Sequence, residues 1–456
     1  MAGTKRELER LRTKPIERNW AMTRMGLGTG VRAAGHVMGN LFRDSAARED
    51  ADRAFYNAEA ERLVAQLGEL KGSVMKAGQM LSLYGQYFMP PEAVDILAQL
   101  QDDTDHVGWH IVGPVVDRAL GPERMAELEI ETRPLAAASL GQVHHARKRG
   151  DERPLVAKIR YPGVDEAIDS DIRTIARLLS LSRLVPKDLS LDPVLTEVRE
   201  MLHREVDYVH ECEMLQRFRS LLDGDARFVV PEPLPRYSSS ELLVMSYEEG
   251  VPVKAADLAG VPEARRVRLA QAALWLFLQE LFVWHLVQTD PHFGNYRLRL
   301  DPEGGADPDG AQDQWVLLDF GATRSFPPTF VRDYARIVRG ALEGEREQVI
   351  RGAVGIGLMR AHFPENVKAG FYELTQLITE PFRGGDYDWG ASDLPARVSQ
   401  SIARNALTRH FKIPPREIVF LHRRMAGVFI TLARLDVRFD GRPLLEEALS
   451  RAEAIE

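Results

Sequence analysis

The chain of 456 residues has a single cysteine, Cys212. One thiol cannot build an intramolecular disulfide framework, and its scarcity fits a reducing compartment. Flanked by Glu211 and Glu213 in a helical pattern, Cys212 reads as a packed thiol rather than a nucleophile. An apolar leader is also missing: the first 20 residues are polar, so no secretory signal is expected. No run is apolar enough to span a bilayer. The nearest, Ala272–Val287, is interrupted by Gln279, Glu280 and His285 and is expected to form the central buried helix of a globular lobe. The protein is therefore expected to be soluble or peripheral. A basic excess is lacking too, since 59 Lys and Arg face 67 Asp and Glu for a net charge of -8. That balance argues against general nucleic-acid binding.

What is present is large and unevenly charged. With 45% hydrophobic residues the chain can bury sizeable cores. Residues 1–43 carry nine Lys/Arg and three Asp/Glu, a net of +6, which leaves -14 for the remainder. A basic arm on an acidic body suggests an anionic surface as the arm's partner. Within it, residues 24–42 are Gly-rich and moderately apolar; an interfacial amphipathic helix, a helix packed on the body and a disordered arm are all compatible with the pattern.

Four segments follow from the periodicity: a basic arm at 1–49, a helical extension at 50–130, a strand-rich part at 131–248 and a mainly helical part at 249–456. Ser139–Arg147 and Leu155–Tyr161 read as strands around the turn-like "KRGDERP". Residues 165–184 and 193–222 read as helices, and Arg227–Val230 and Glu241–Tyr247 as strands. A hairpin at 296–320 carries the low-complexity tip "DPEGGADPDGAQDQ". A strand-rich part before a helical part is the order of a kinase small lobe and large lobe. The expected fold class is α+β, an atypical protein-kinase-like two-lobed fold, helix-rich, with an N-terminal helical extension.

The motifs carry the chemistry. Asp290-Pro-His-Phe-Gly-Asn295 has the D-x-x-x-x-N spacing of a kinase catalytic loop, and Asp319-Phe-Gly follows the apolar "WVLL". ATP chemistry needs oxygens to hold Mg²⁺ against the triphosphate and a carboxylate facing the attacking group. Asn295 and Asp319 are the candidate metal ligands, and Asp290 the base or water-orienting group. Lys158 ends the strand-like "LVAK", where its cation would pair with the α/β-phosphates. Fifteen residues upstream of it lies Val143, the end of Ala136-Ala137-Ala138-Ser139-Leu-Gly141-Gln-Val143, which matches G-x-G-x-x-G-x-V with alanine at the first two glycine positions. Alanine disfavours positive φ and adds a methyl where glycine would let backbone close over phosphate. Met245 and Tyr247, closing the strand-like 241–247 stretch, complete the candidate nucleotide-binding set. Asp207 and Glu211 lie one turn apart in the 193–222 pattern, and Glu211 is the natural partner of Lys158. Glu205 and Asp207 then need another cation or a metal, and Lys76 of Lys76-Ala-Gly-Gln79 is a candidate cation.

Taken together, "KAGQ" at 76–79, "AAASLGQVHHA" at 136–146, "VAKIRYPGV" at 156–164, "EVDYVHE" at 205–211, "TDPHFGN" at 289–295, "DFGATR" at 319–324 and "PPREIVFLHRRMAGVF" at 414–429 resemble the ABC1/UbiB (AarF/ADCK, coenzyme Q kinase-like) family of atypical kinases. The resemblance covers roughly residues 50–435. It implies an atypical kinase fold in which a helical extension bearing K-x-G-Q folds over the site, with Lys76 facing Glu205 and Asp207 and Gln79 near the nucleotide. It implies ATP or ADP with Mg²⁺ as cofactors, ATPase activity, and support of ubiquinone biosynthesis at a membrane. The implied partners are a membrane lipid or prenyl-quinone precursor and quinone-biosynthesis enzymes. Some bacterial members end in membrane helices; this sequence resembles the shorter branch, which implies a cytoplasmic protein peripheral at the inner face of the membrane.

Two features stand against an ordinary protein kinase. Gln288-Thr289 replaces the His-Arg before the catalytic Asp, and no A-P-E follows Asp319-Phe-Gly. A true protein kinase and a nucleotide-binding scaffold with negligible turnover remain the alternatives to an ATPase or small-molecule kinase. The arm yields a first prediction. Each basic residue near an anionic bilayer contributes on the order of 1 kcal/mol, reduced by salt. Liposome co-sedimentation should therefore fall on deleting residues 1–43 and on raising salt; equal sedimentation of the truncated chain on cardiolipin-containing vesicles would remove the arm from the mechanism.

Overall fold

The computed structural model describes residues 106–454 except 139, 183–191, 257, 303–311 and 407–413, together with Ala58, Lys76–Gly78, Met80 and Leu81. The basic arm, Gln79, Ser139 and residues 303–311 of the "DPEGGADPDGAQDQ" tip lie outside the described residues. The chain is α+β and helix-rich. It packs as two units: the described residues up to Gln216 with Glu232–Tyr247, and Arg217–Pro231 with the chain from Glu248 onward.

The first unit is built on an antiparallel sheet of order β1-β2-β3-β5. Helix α1 (Trp109–Glu127) leads into β1 (Leu128–Ala137), β2 (Gly141–Lys148) and β3 (Pro154–Arg160). Helices α2 (Val164–Ser182), α3 (Asp192–Glu205) and α4 (Tyr208–Leu221) follow, then β4 (Phe228–Val229) of the other unit, then β5 (Leu242–Ser246). Strand β1 has no counterpart in the sequence reading. It is an edge strand in which only Leu128 is buried, and its register slips around Pro134, so it shows no sustained alternation of buried and exposed residues.

Helix α1 covers one face of this sheet. The Trp109 ring lies edge-on to His144, 5.2 Å away. Beside it Gln142, fully buried, accepts from the Val107 N–H at 3.0 Å and donates to the Val107 carbonyl at 3.2 Å. Its amide nitrogen also lies 2.8 Å from His144 Nε2. Because that amide can only donate, His144 Nε2 accepts, and the ring proton sits on Nδ1, 2.6 Å from the Glu131 carbonyl. The imidazole is thus a neutral tautomer locked by two partners.

The sequence reading has one helix over 193–222; the structure has two. Asp207 is the reason. Its carboxylate accepts from the His210 N–H at 3.1 Å, and its carbonyl accepts from the Glu211 N–H. An aspartate in that position caps a new helix and ends the old one.

In the second unit β6 (Val251–Pro252) precedes helix α5 (Glu263–Leu278), then come β7 (Leu286–Gln288), β8 (Tyr296–Arg299), β9 (Gln314–Leu317) and β10 (Thr323–Ser325). Six helices follow: α6 (Pro328–Glu343), α7 (Arg346–Gly355), α8 (Glu365–Ile378), α9 (Leu394–Ala406), α10 (Arg416–Leu435) and α11 (Arg442–Ala454). The sheet order is β4-β9-β8-β6, and β7 pairs with β10. Residues 217–231 belong here because β4 pairs in parallel with β9 and Phe218 packs 4.5 Å from Phe320.

The expected central helix at 272–287 is buried but not continuous. Helix α5 ends at Leu278, the chain widens into a π turn over Gln279–Val283, and His285 at φ 52° redirects it into β7. The polar residues that interrupt the apolar run are the cause: Glu280, 1% exposed, needs an internal partner, and the wider turn presents it to one. No helix among the described residues is long and apolar enough to cross a membrane.

His144 makes acid stability a test of this packing. Burial, first among its influences, holds the imidazole below its ordinary value. The folded protein therefore resists a proton that the unfolded chain takes up near pH about 6.5. Stability from neutral His144 is complete above that pH and lost as pH falls below it. Denaturation midpoints measured from pH 7.5 to 5 should fall more steeply for the wild type than for His144→Gln, whose amide keeps a donor and an acceptor but cannot be protonated. Equal slopes would count against the assignment.

Candidate functional site

Antiparallel register assembles the candidate nucleotide residues of the first unit. Lys158 on β3 lies opposite Val143 on β2 and Leu243 on β5. Val156 lies opposite Met245, and Ala136 on β1 opposite Val143. Directly paired residues share a face, so Ala136, Val143, Lys158 and Met245 project from one side of the sheet. His145 and Tyr247 belong to the same side, with rings 5.2 Å apart. The fifteen-residue spacing noted in the sequence is the length of this hairpin.

The lysine meets its expected partner. Lys158 Nζ lies 2.9 and 2.8 Å from the two carboxylate oxygens of Glu211, which is fully buried, and 5.2 Å above the Tyr208 ring. Removing one member of such a pair leaves a buried charge and costs about 3–5 kcal/mol. Lys76, also buried, lies 3.0 Å from Glu205 at the end of α3. Asp207, expected to face Lys76 with Glu205, uses its carboxylate as the cap of α4 instead. Cys212 is buried, and burial pushes its thiol up, as befits a packed side chain.

The Ala-rich loop closes the β1–β2 hairpin. Ala136 and Ala137 end β1, and the Ala138 N–H donates to the Gly141 carbonyl at 2.8 Å. A Cβ on Gly141 would fall 2.5 Å from the Ile159 carbonyl oxygen and 2.7 Å from the Tyr208 hydroxyl. Glycine is required here by the close approach of β3 and Tyr208, whatever the loop binds.

In the second unit one hairpin gathers the candidate metal ligands. Asn295 precedes β8 and Asp319 follows β9, whose register pairs Tyr296 with Leu317. The Leu318 N–H donates to the Asn295 carbonyl at 2.9 Å, so the two ligands arise at the same end of the strand pair. The long separation between them in sequence is therefore immaterial. Asn295 Nδ2 donates to the Asp290 carbonyl at 3.2 Å and to its Oδ2 at 3.1 Å, which turns the amide oxygen the other way. Asp319 Oδ1 accepts from the Gly321 N–H at 3.0 Å. Thr289 anchors the loop through its hydroxyl to the Ala322 carbonyl at 2.7 Å.

Several residues here carried no assigned role in the sequence reading. Arg423 on α10 lies 2.6 Å from Asp290 Oδ1. Its neighbour Arg424, 4% exposed, lies 3.1 Å from Glu280 and donates to the Tyr296 hydroxyl at 2.8 Å. Tyr296 donates to Gln288 Oε1 at 3.0 Å, and Gln288 donates to the Asp319 carbonyl at 3.2 Å. Burial pushes the Glu280 carboxyl up to about 7, with Arg424 pulling it the other way. The signal was two arginines inside an otherwise apolar helical run, where unpaired charge does not belong.

The first unit thus holds two ion pairs, Lys76–Glu205 and Lys158–Glu211, and the second brings Asp290, Asn295 and Asp319 to one end of a strand pair. Among the described residues no group of three or more His, Cys, Asp or Glu forms a dedicated metal cage.

A family model for the ABC1 atypical kinase-like domain matches residues 99–353. The Danio rerio protein named atypical kinase COQ8B, mitochondrial, is 32% identical over 388 residues, 84% of this chain and 60% of that protein. The Caenorhabditis elegans atypical kinase coq-8, mitochondrial, is 31% identical over 83% of this chain and 49% of its own length. The Saccharomyces cerevisiae atypical kinase COQ8, mitochondrial, is 30% identical over 86% of this chain and 76% of its own length. The chain therefore spans about half to three quarters of these curated relatives. A solved structure of Mycobacterium tuberculosis Rv3197 with erythromycin matches with a TM-score of 0.58 and 24% identity, covering 88% of this chain and 98% of that one, a likeness of fold.

Gly141 separates packing from phosphate contact. Gly141→Ala should destabilise the first unit by about 1–3 kcal/mol through overpacking against β3. A thermal melt without nucleotide reads this directly; an unchanged melting temperature would mean that the strand does not need the close approach.

Proposed function

The chain belongs to the ABC1 atypical kinase-like family, and on that premise we propose that it binds MgATP and turns it over, as an ATPase or small-molecule kinase, in support of ubiquinone or related prenyl-quinone lipid biosynthesis. The observation that carries this reading is the hairpin β8–β9, which presents Asn295 and Asp319 at one end with Asp290 hydrogen-bonded to Asn295. The residues fit the cofactor. Mg²⁺ that arrives with a nucleotide keeps waters and phosphate oxygens and needs only one or two protein oxygens, which Asn295 and Asp319 supply. When bound, MgATP provides the phosphoryl group and the metal charge that offsets what develops on its oxygens.

The remaining roles fall to the chain. Lys158, fixed by Glu211, presents its ammonium to the α/β-phosphates. Ala136, Ala137, Ala138, Ser139, Gly141, Val143, Met245, Tyr247 and Gln79 form the nucleotide surroundings, and Lys76 acts near the reacting centre. Asp290 orients the attacking hydroxyl or water. A protein substrate is disfavoured because α6 begins at Pro328, nine residues after Asp319, which leaves little chain for a peptide platform. A lipid or quinone precursor is the preferred acceptor or cargo, handed to quinone-biosynthesis enzymes at the inner face of a membrane to which the cytoplasmic chain is peripheral.

Two measurements test this. Wild type should be stabilised in thermal-shift titrations by MgADP, by mass action, and Asp319→Asn should lose most of the metal-dependent part; an equal shift in the variant would sink the ligand assignment. Purification followed by lipid extraction and mass spectrometry should recover prenylated phenols or quinones, and turnover should rise on anionic liposomes. Turnover that responds only to a protein substrate would favour the protein-kinase alternative.

A further inference from the structure

The loop Asp290-Pro-His-Phe-Gly-Asn295 contains no lysine or arginine, and Gln288-Thr289 precedes it. A carboxylate that must work beside a polyphosphate needs a cation close by, since like charges at short range repel strongly in a protein interior. The structure provides one from 133 residues away. Arg423 reaches Asp290 Oδ1 at 2.6 Å, both side chains being largely shielded at 17% and 14% exposure.

The helix that carries Arg423 is fitted to the loop. Gly427 lies one turn further along the same face of α10. A Cβ there would fall 2.1 Å from the Pro291 Cβ, so α10 and the loop touch at a point where only glycine fits. Arg424, the next residue, begins a chain of hydrogen bonds in which every donor points the same way: Arg424 to Tyr296, Tyr296 to Gln288, Gln288 to the Asp319 carbonyl. One turn of α10 therefore reaches both the loop that bears Asp290 and the turn that bears Asp319.

We propose that Arg423 is a positioning residue, supplied by α10 in place of a cation within the loop, that holds the Asp290 carboxylate in the orientation that faces the attacking group. With Oδ1 on Arg423 and Oδ2 on Asn295, the carboxylate is held at both oxygens. No charge or bond changes on Arg423 itself. The inference rests on the reading of Asp290 given under the proposed function.

The test uses the full chain with MgATP: steady-state phosphate release, MgADP thermal-shift titration, and melting of the apo protein. In Arg423→Gln, kcat should fall about 10- to 100-fold, as misplacement of a reacting group does, with KM changed by less than about threefold. The MgADP shift should be retained. Because the contact to Asp290 runs through a single nitrogen, Arg423→Lys should regain most of the lost kcat. A wild-type kcat in Arg423→Gln overturns the proposal, as does an equal loss of kcat and of the MgADP shift in both variants. A melting cycle of Arg423→Gln, Asp290→Asn and the double variant reads the pair without turnover: non-additive shifts support it and additive shifts overturn it. A wild type without turnover or nucleotide binding would sink the proposed function instead, and the melting cycle would still decide whether Arg423 holds Asp290.

Discussion

The buried guanidinium of Arg424 is the charge around which the second unit is arranged. It is 4% exposed and faces the carboxylate of Glu280, itself 1% exposed, and the Tyr296 hydroxyl. A pair this deep gives little net stability over an apolar replacement, but removing either member leaves an uncompensated charge. The cost is visible in the backbone. Helix α5 gives up its regular ladder for a π turn at Gln279–Val283, the segment that carries Glu280. In return three distant pieces of chain, the π turn, the start of β8 and helix α10, are tied at one point, and the loop with Asp290 hangs from that tie.

The first unit has a comparable device. The strands β2, β3 and β5 deliver Lys158 to one sheet face, and the helix break at Val206–Asp207 lets Glu205 and Glu211 point to different lysines. Had α3 and α4 been continuous, the acid at 207 would have shared a face with Glu211, and two like charges would have competed for one cation. Capping by Asp207 removes that conflict. On the far face, Gln142 and the neutral tautomer of His144 bind the chain before α1 to the same strand that carries Val143.

These two arrangements bear on the same question, how a kinase-like chain works without several of the usual parts. The Ala-rich loop keeps its glycine only where β3 presses on it. The cation near the catalytic-type aspartate comes from a helix rather than from the loop. The connection after Asp319-Phe-Gly is short, with α6 beginning at Pro328. The first departure falls on the phosphate side and the other two beside the catalytic-type aspartate and after Asp319-Phe-Gly, while Lys158, Asp290, Asn295 and Asp319 are all present.

Much of this was legible in the chain itself, for a definable reason. The spacings Asp290 to Asn295 and Val143 to Lys158 are short, and a loop or hairpin of that length has few ways to fold, so these residues lie side by side as expected. Glu211 was legible as the partner of Lys158 because two acids one helical turn apart repel unless each meets a cation. The edge strand β1, with no buried alternation, was not legible, nor was the excursion of residues 217–231 into the second unit, which depends on β4 finding β9 some 90 residues later. The roles of Arg423 and Arg424 were decided only by tertiary structure. A local pattern reports the period of burial along one element, whereas the partner of a buried charge is whichever group the fold brings within about 3 Å, and no spacing in the sequence encodes that distance.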